Sequence, residues 1–277
     1  MVELVDTQDL KSCSPKREYG FDSRLGHIAS IKTLVNKLIT RVFVFRGNDE
    51  QKATSPLTMP IPSPNLTRMA YLCCMDKRSH WDHIYRHKTP AQLSWTQETP
   101  ATSLDFIDTF RLPRNARIID IGGGESRLAE LLLEKGYKDI TVLDISEEAI
   151  KRAQDRLGEK AALVQWIVAD IADFEPPHPY DLWHDRATFH FLTTAPQVSN
   201  YLDHARTALP LGGYLVIGTF SDKGPDKCSG LPVHRYTEET LSGELHNGFN
   251  KIKCITEDHE TPFHTVQNFL FCSFKRA

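Results

Sequence analysis

The sequence has no two cysteines in the Cys-x-x-Cys spacing. Its six cysteines stand at positions 13, 73, 74, 228, 254 and 272. These positions indicate neither a zinc knot nor a thioredoxin-like redox site. We expect free thiols, as in a reducing compartment. His184 and His190 are six residues apart. Because that separation does not place two imidazoles on one helical face, we expect no metal site.

Long apolar runs and an excess of basic charge are also missing. Lys and Arg interrupt the apolar segment at residues 31–47, and no run is long enough to cross a bilayer. With 33 basic and 36 acidic residues the formal net charge is -3, so no basic nucleic-acid face is expected. A hydrophobic fraction of 40% allows a sizeable core. We expect a cytoplasmic protein with no nucleic-acid or membrane partner.

The first 75 residues differ in character from the rest. Residues 1–27 resemble a conceptual translation of a bacterial leucine transfer-RNA gene, because Gly20 to Arg24 (GFDSR) back-translate to a T-arm sequence. Residues 51–68 are rich in Pro, Ser and Thr and show no periodicity. We therefore predict a non-globular extension over residues 1–75 and one domain over residues 76–277, with Met69 or Met75 as the true start.

A glycine-rich loop lies between a buried-strand pattern and a helix pattern at Arg117 to Leu133, RIIDIGGGESRLAELLL. Two β-branched residues precede Asp120, and leucines then recur at helical spacing. Glycines at 122, 123 and 124 allow a sharp turn and a close approach to a ligand, because no Cβ blocks either. A parallel α/β sheet builds a nucleotide pocket in this way.

Two further strand patterns also end in an acid. Residues 139–146 end with Asp144 and Ile145, where a carboxylate would accept from a ribose diol. Residues 163–174 carry Asp170 and Ile171, an acid for an exocyclic amine beside an aliphatic side chain for a ring face. Three successive strands therefore end in carboxylates.

This ordered set resembles the class I S-adenosylmethionine-dependent methyltransferases. The resemblance implies that Asp120, Gly122, Gly123 and Gly124 form the first cofactor motif, that Asp144 binds the ribose, and that Asp170 binds the adenine. It also implies a doubly wound, seven-stranded, mostly parallel α/β sheet, closed by an antiparallel C-terminal strand. Two strand-like runs, residues 249–260 and 266–276, are expected to pair as an antiparallel hairpin at that edge. One departure is Glu125-Ser126, where the family commonly has a third small residue in the loop.

The fourth strand pattern, within residues 179–192, ends in His184, Asp185 and Arg186. This segment looks similar to the thiopurine and tellurite-resistance methyltransferases, in which an Asp-Arg pair follows the fourth strand. Asp185 and Arg186 are therefore the candidate catalytic residues. His184, Asp185 and His190 are possible bases for a protonated acceptor, although a histidine near a strand end is more often structural. An ion pair or a helix cap explains the same pair equally well, and Arg186 is also suited to hold an anionic acceptor.

Two segments outside the strands are candidates for covering the site. Residues 80–110 resemble an N-terminal lid, in which Trp95 and Gln97 would cover the cofactor, while Trp81 and Tyr85 are expected to pack on the sheet. Residues 224–237 form a turn-rich insertion in which four residues would line an acceptor pocket or simply form a solvated connection: Cys228, His234, Arg235 and Tyr236.

Several functions stay open on the sequence. A small-molecule methyl acceptor is the first expectation, a protein lysine side chain the second, and a non-catalytic cofactor-binding protein the third. A nicotinamide-dependent dehydrogenase is less favoured, because Arg127 takes the place of the last small residue of its fingerprint. Nucleic-acid base amines are also less favoured, because residues 175–178 lack the order and the aromatic end of the Asn/Asp-Pro-Pro-aromatic motif.

Overall fold

The structure is a computed structural model, and it describes residues 77–277. The described residues lie within one compact unit, Pro62–Ala277. The predictions for residues 1–75, including the two candidate start sites, fall outside the described residues.

Six α-helices and nine strands make up the described part. The helices are α1 Lys77–His87, α2 Ala101–Thr109, α3 Leu128–Glu134, α4 Glu147–Leu157, α5 Ala195–Ala208 and α6 Glu238–Leu245. The strands are β1 Arg117–Ile121, β2 Asp139–Asp144, β3 Val164–Val168, β4 Leu182–Arg186, β5 Tyr214–Phe220, β6 Lys227–Cys228, β7 Leu231–Pro232, β8 Phe249–Glu260 and β9 Val266–Arg276.

Seven strands form one sheet in the order β3-β2-β1-β4-β5-β9-β8, and β6 pairs with β7 separately. Strands β1 to β5 run parallel, whereas β9 and β8 are antiparallel to their neighbours. The order reverses at β1, with β2 on one side and β4 on the other, so the cofactor side of such a sheet lies at the carboxyl end of β1. The predicted fold class and the C-terminal hairpin are confirmed.

The sheet separates two apolar layers, because side chains alternate between its faces. Ile119 and Ile121 of β1 pack in the layer that contains α5 and α6. Ile118, one residue away, packs in the layer that contains α2, α3 and α4. Asp120, two residues after Ile118, also faces this second side of the sheet, and the groups that it contacts lie on the same side. A smaller cluster joins Tyr85 of α1 to Ala149 of α4.

The expectation of free thiols is wrong for one pair. Cys254 and Cys272 form a disulfide between β8 and β9, where they are direct partners in the strand register. The sequence spacing gave no sign of this pair, because a long hairpin brings together residues that are far apart in the chain. Cys228 is a free, buried thiol. Within residues 77–277, no helix combines the length and apolar character needed to cross a membrane.

Candidate active site

The glycine loop turns tightly against β2 and the segment after β4. The backbone amides of Gly122 and Gly123 both donate to the Leu143 carbonyl, at 2.7 and 3.2 Å. Gly122 has a φ of 63°, and a Cβ there would overlap the Thr188 hydroxyl. A Cβ on Gly123 would lie 2.5 Å from Asp120 Oδ2. The loop is therefore closed to side chains at both positions.

Asp120 is held in a buried chain of polar groups. Its Oδ1 lies 2.7 Å from Nδ1 of His184, and His184 Nε2 lies 2.9 Å from the Ser103 hydroxyl. All three residues are buried. The contacts join the carboxyl ends of β1 and β4 to α2. Sequence reasoning treated His184 as a candidate base and missed this chain, because Ser103 is 81 residues away.

Asp144 is buried at the end of β2. Its Oδ1 accepts from the Ser146 amide at 2.8 Å, and a Cβ on Gly124 would lie 2.9 Å from its Oδ2. Burial raises the pKa of Asp144 to about 7, and the charges of Asp120 and Asp82 add to that increase. A ligand that donates hydrogen bonds to this carboxylate would favour its charged form.

Asp170 and Ile171 lie at the end of β3. Asp170 Oδ1 accepts from the Ala172 amide at 3.0 Å, and its Oδ2 lies 3.3 Å from the ammonium of Lys77. Ile171 is buried in the core. The acid therefore already caps a 3-10 turn, Ile171–Asp173, before any ligand is bound.

Two cavities open at this edge of the sheet. The larger one, of about 260 Å³, is lined by Asp144, Ile145, Asp170, Ile171 and other residues of this edge. The smaller one, of about 190 Å³, is lined by Asp120, Gly122, Gly123, His184 and neighbouring residues. Tyr85, Trp95, Gly122 and Arg186 line both. The structure thus brings nearly all predicted binding residues to the two cavities; Gly124 lines neither of them.

Asp185 does not line either cavity. Its Oδ2 accepts from the Tyr201 hydroxyl at 2.7 Å, and its Oδ1 accepts from the amides of Thr188 and Phe189 at 3.1 Å each. Burial raises its pKa to about 6. Since consecutive strand residues face opposite sides of the sheet, Asp185 points toward α5 while Arg186 points toward the cavities. The two residues expected to act as a pair are therefore separated by the sheet.

Arg186 lines both cavities, yet only part of its guanidinium has a partner. Nη1 donates to the Trp95 carbonyl at 2.9 Å, and the guanidinium carbon lies 5.0 Å from the centroid of the Phe269 ring. Nε and Nη2 are buried and have no hydrogen-bond partner among the described residues. Burial lowers the pKa of Arg186 to about 10, so the group stays charged at neutral pH.

Aromatic side chains cover the larger cavity. Trp81 packs edge to face against Trp95, with ring centroids 5.8 Å apart, and against Phe191, at 5.2 Å. Tyr85 lies 6.3 Å from Trp95. Trp81 and Tyr85 thus pack around the cavity as well as on the neighbouring helix, and sequence reasoning missed Phe191 as a lining residue.

The insertion after β5 contributes one of its four candidate residues. Cys228 lines the larger cavity, together with Leu231 and Pro232. Burial raises the pKa of its thiol to about 11, so the thiol is neutral at pH 7. His234, Arg235 and Tyr236 do not line either cavity.

His190, a candidate base in the sequence, lines neither cavity. It is buried and stacks on Phe220 with ring centroids 4.4 Å apart, and within residues 77–277 neither ring nitrogen has a hydrogen-bond partner. Burial lowers its pKa to about 3, and the charge of Arg186 acts in the same direction. The neutral ring is therefore an apolar packing group.

Comparisons with known proteins agree with this arrangement. Residues 118–213 match the family described as "Methyltransferase domain". The chain is 35% identical over 104 residues to malonyl-[acyl-carrier protein] O-methyltransferase 2 of Ilyobacter polytropus, covering 37% of this chain and 39% of that protein. It is 26% identical over 146 residues to the eEF1A lysine and N-terminal methyltransferase of Mus musculus, covering 50% of this chain and 21% of that protein.

A solved structure shows the same fold. It is the 1,6-didemethyltoxoflavin-N1-methyltransferase of Burkholderia thailandensis with bound 1,6-didemethyltoxoflavin and S-adenosylhomocysteine. The TM-score is 0.57 at 20% identity, covering 83% of this chain and 98% of that chain. The chain spans less than half of the length of the two curated relatives above. Residues 118–213 are thus similar to a methyltransferase domain, and the chain shares the fold of that solved methyltransferase.

Proposed function

We propose that this chain is an S-adenosylmethionine-dependent methyltransferase that transfers a methyl group to a small-molecule nucleophile. One observation carries the proposal: a cavity of about 260 Å³ joins the acids at the ends of β2 and β3 to an aromatic cover and a partly unpaired arginine. This combination offers a cofactor site and an adjoining acceptor site in one enclosed space.

The cofactor-binding roles are assigned by residue chemistry. Asp144 is proposed to accept from the ribose hydroxyls, and Asp170, with Ile145 and Ile171, to bind the adenine. Asp120 and the loop of Gly122 to Gly124 are assigned to the methionine end, because a Cβ would fill the space next to Asp120. Trp95 is assigned to the cover that excludes water. The bound cofactor supplies an electrophilic sulfonium methyl group.

The residues around the larger cavity favour catalysis by positioning. No histidine of the described residues lines it, and the thiol of Cys228 is neutral at pH 7. Asp185, predicted as catalytic, is bonded to α5 and to the turn after β4. We therefore propose that Asp185 shapes the site, that Arg186 contacts the acceptor, and that desolvation and alignment supply most of the acceleration.

A protein acceptor is the second candidate. The similarity to the mouse protein named as a lysine and N-terminal methyltransferase extends over 50% of this chain. A lysine side chain would need an open path to the sulfonium methyl group. The malonyl-[acyl-carrier protein] relative favours a small acyl acceptor instead.

Transfer of label separates these functions. The protein is incubated with S-adenosylmethionine labelled in its methyl group and with fractionated cell extract. Label in small metabolites supports the first proposal, and label in protein supports the second. No label in any fraction, with cofactor binding intact, indicates a non-catalytic binding protein. Binding of NADH in a parallel titration would instead indicate a dehydrogenase.

The domain boundary is a separate proposal. We infer from composition that residues 76–277 suffice for folding and cofactor binding. A chain that starts at Met75 is expected to match the melting temperature and the S-adenosylhomocysteine affinity of the full chain. A clear loss of either would show that the preceding residues contribute.

A further inference from the structure

Arg186 carries a buried positive charge that no acidic side chain among residues 77–277 pairs with directly. Nη1 is bonded to the Trp95 carbonyl, whereas Nε and Nη2 have no partner in the described part of the chain and are shielded from water. Among residues 77–277 no carboxylate forms an ion pair with it; Glu257 and Asp120 act only at longer range. Buried charges in proteins are normally paired, because removing them from water is costly.

The two free nitrogens lie on one edge of the guanidinium. Nε–H and one N–H of Nη2 point in parallel, and this edge matches the two oxygens of a carboxylate. Nη1, on the other side, is fixed by the Trp95 backbone, and the plane packs on Phe269. The protein thus orients the group and leaves its bidentate edge unused.

The cavity walls beside Arg186 indicate what kind of group would be attached to a carboxylate bound there. Trp81 is in edge-to-face contact with both Trp95 and Phe191, and all three rings line the larger cavity with Arg186. Aromatic walls of this kind pack against flat apolar groups.

Resting on the proposed function, we propose that the methyl acceptor is a carboxylate-bearing molecule with a flat apolar body, held by the Nε/Nη2 edge of Arg186. The carboxylate neutralises the buried charge, and the aromatic wall receives the body. A neutral molecule of the same shape leaves the guanidinium unpaired and binds more weakly.

The test uses matched pairs that differ in charge: benzoate with benzamide, cinnamate with cinnamamide, and indole-3-acetate with indole-3-acetamide. Each is titrated calorimetrically into the full chain saturated with S-adenosylhomocysteine. At least one carboxylate is expected to bind about 10- to 100-fold more tightly than its amide, the range for a bidentate charged contact. Arg186→Gln should abolish that preference, and Arg186→Lys should retain part of it. Arg206→Gln, which alters a cation on α5 paired with Asp203, should leave it unchanged.

Three results overturn the inference. One is the absence of any preference for carboxylates in all three pairs, and another is a preference that survives in Arg186→Gln. The third is a tenfold or greater loss of S-adenosylhomocysteine affinity in Arg186→Gln with an unchanged melting temperature, because Arg186 would then hold the carboxylate of the cofactor. If S-adenosylhomocysteine does not bind the unmodified protein, the proposed function itself fails, and this first titration separates the two failures.

Discussion

His184 Nδ1 lies 2.7 Å from the carboxylate of Asp120, across two neighbouring parallel strands. The contact fixes the acid that begins the glycine loop and leaves its second oxygen against Gly123. His184 in turn contacts the Ser103 hydroxyl on α2. The cofactor loop is therefore braced by the layer on one face of the sheet.

Replacing His184 by Ala should destabilise the protein strongly. The change leaves the buried Asp120 carboxylate without its hydrogen-bond partner, a situation that costs about 2 to 3 kcal/mol. Urea unfolding measures the loss. Ser103→Ala is the matched control, since it removes only the far hydroxyl and should cost about 1 kcal/mol. Equal effects of the two substitutions would show that the Asp120 contact is not the important one.

Gly122→Ala tests the steric closure of the loop. Gly122 and Gly136 both have positive φ, at 63° and 88°, but a Cβ on Gly136 would meet only Arg114 Cδ, at 3.9 Å. Gly136→Ala should therefore carry only the backbone penalty of a side chain at positive φ, about 1 to 2 kcal/mol. Gly122→Ala adds an overlap with Thr188 and should lower both the melting temperature and the cofactor affinity further. Similar losses for both variants would contradict the proposed close packing.

The sequence predicted the main sheet well, because local patterns determine it. Apolar strands that end in acids, alternating with amphipathic helices, indicated β1 to β5, and the pattern of residues 249–276 indicated the hairpin of β8 and β9. Because their strands are parallel, Asp120, Asp144 and Asp170 come to the same edge of the sheet.

Side-chain direction and long-range contacts were harder to predict. The sequence predicted that Asp185 and Arg186 act together, but the pleat of β4 places the two side chains on opposite faces of the sheet. The disulfide of Cys254 with Cys272 depends on the register of a hairpin, and the contact of Arg186 with Trp95 joins residues 91 positions apart. Neither leaves a local pattern in the chain.

Asp185 is expected to act through structure. Asp185→Ala leaves the Tyr201 hydroxyl and two backbone amides without their acceptor and should cost about 2 to 3 kcal/mol of stability. Tyr201→Phe removes the Tyr201 contact and the hydrogen bond that the Trp183 indole donates to the same hydroxyl at 2.9 Å, and it leaves both amide contacts of Asp185 in place. Methyl transfer by the folded protein should show a nearly unchanged kcat in Tyr201→Phe. A kcat that falls 100-fold in this variant, with stability retained, would restore a direct role for Asp185.

Asp144→Ala should weaken the binding of S-adenosylmethionine. The loss of a hydrogen bond to a charged group corresponds to about 1 to 3 kcal/mol. Calorimetric titration measures the affinity, and unchanged affinity would refute the ribose-binding role. Asp170→Ala provides a comparison, since Asp170 is partly engaged with Lys77 and the Ala172 amide.

The raised pKa of Asp144 gives a pH dependence with a definite sign. Burial raises the pKa to about 7 in the folded protein, whereas an unfolded chain has an Asp pKa of about 3.9. Between these values the unfolded state releases its proton and the folded state keeps it, so ionisation of Asp144 lowers stability as pH rises from about 4 to 7. Asp144→Asn removes this contribution. The free energy of unfolding of Asp144→Asn, relative to the unmodified protein, should therefore increase over that range.

The affinity for the cofactor should also depend on the protonation of Asp144, but it should rise with pH where the stability contribution falls. Ribose hydroxyls donate more strongly to a carboxylate than to a carboxylic acid, so affinity should rise as pH increases from about 6 to 8, around the pKa of about 7 of Asp144. Binding near pH 7 then releases a proton, which calorimetry detects as a heat that varies with the ionisation enthalpy of the buffer. Asp144→Asn should bind more weakly and show neither effect. If the variant keeps the pH dependence of the unmodified protein, the titrating group is another residue, and the assignment of Asp144 to the ribose loses its electrostatic support.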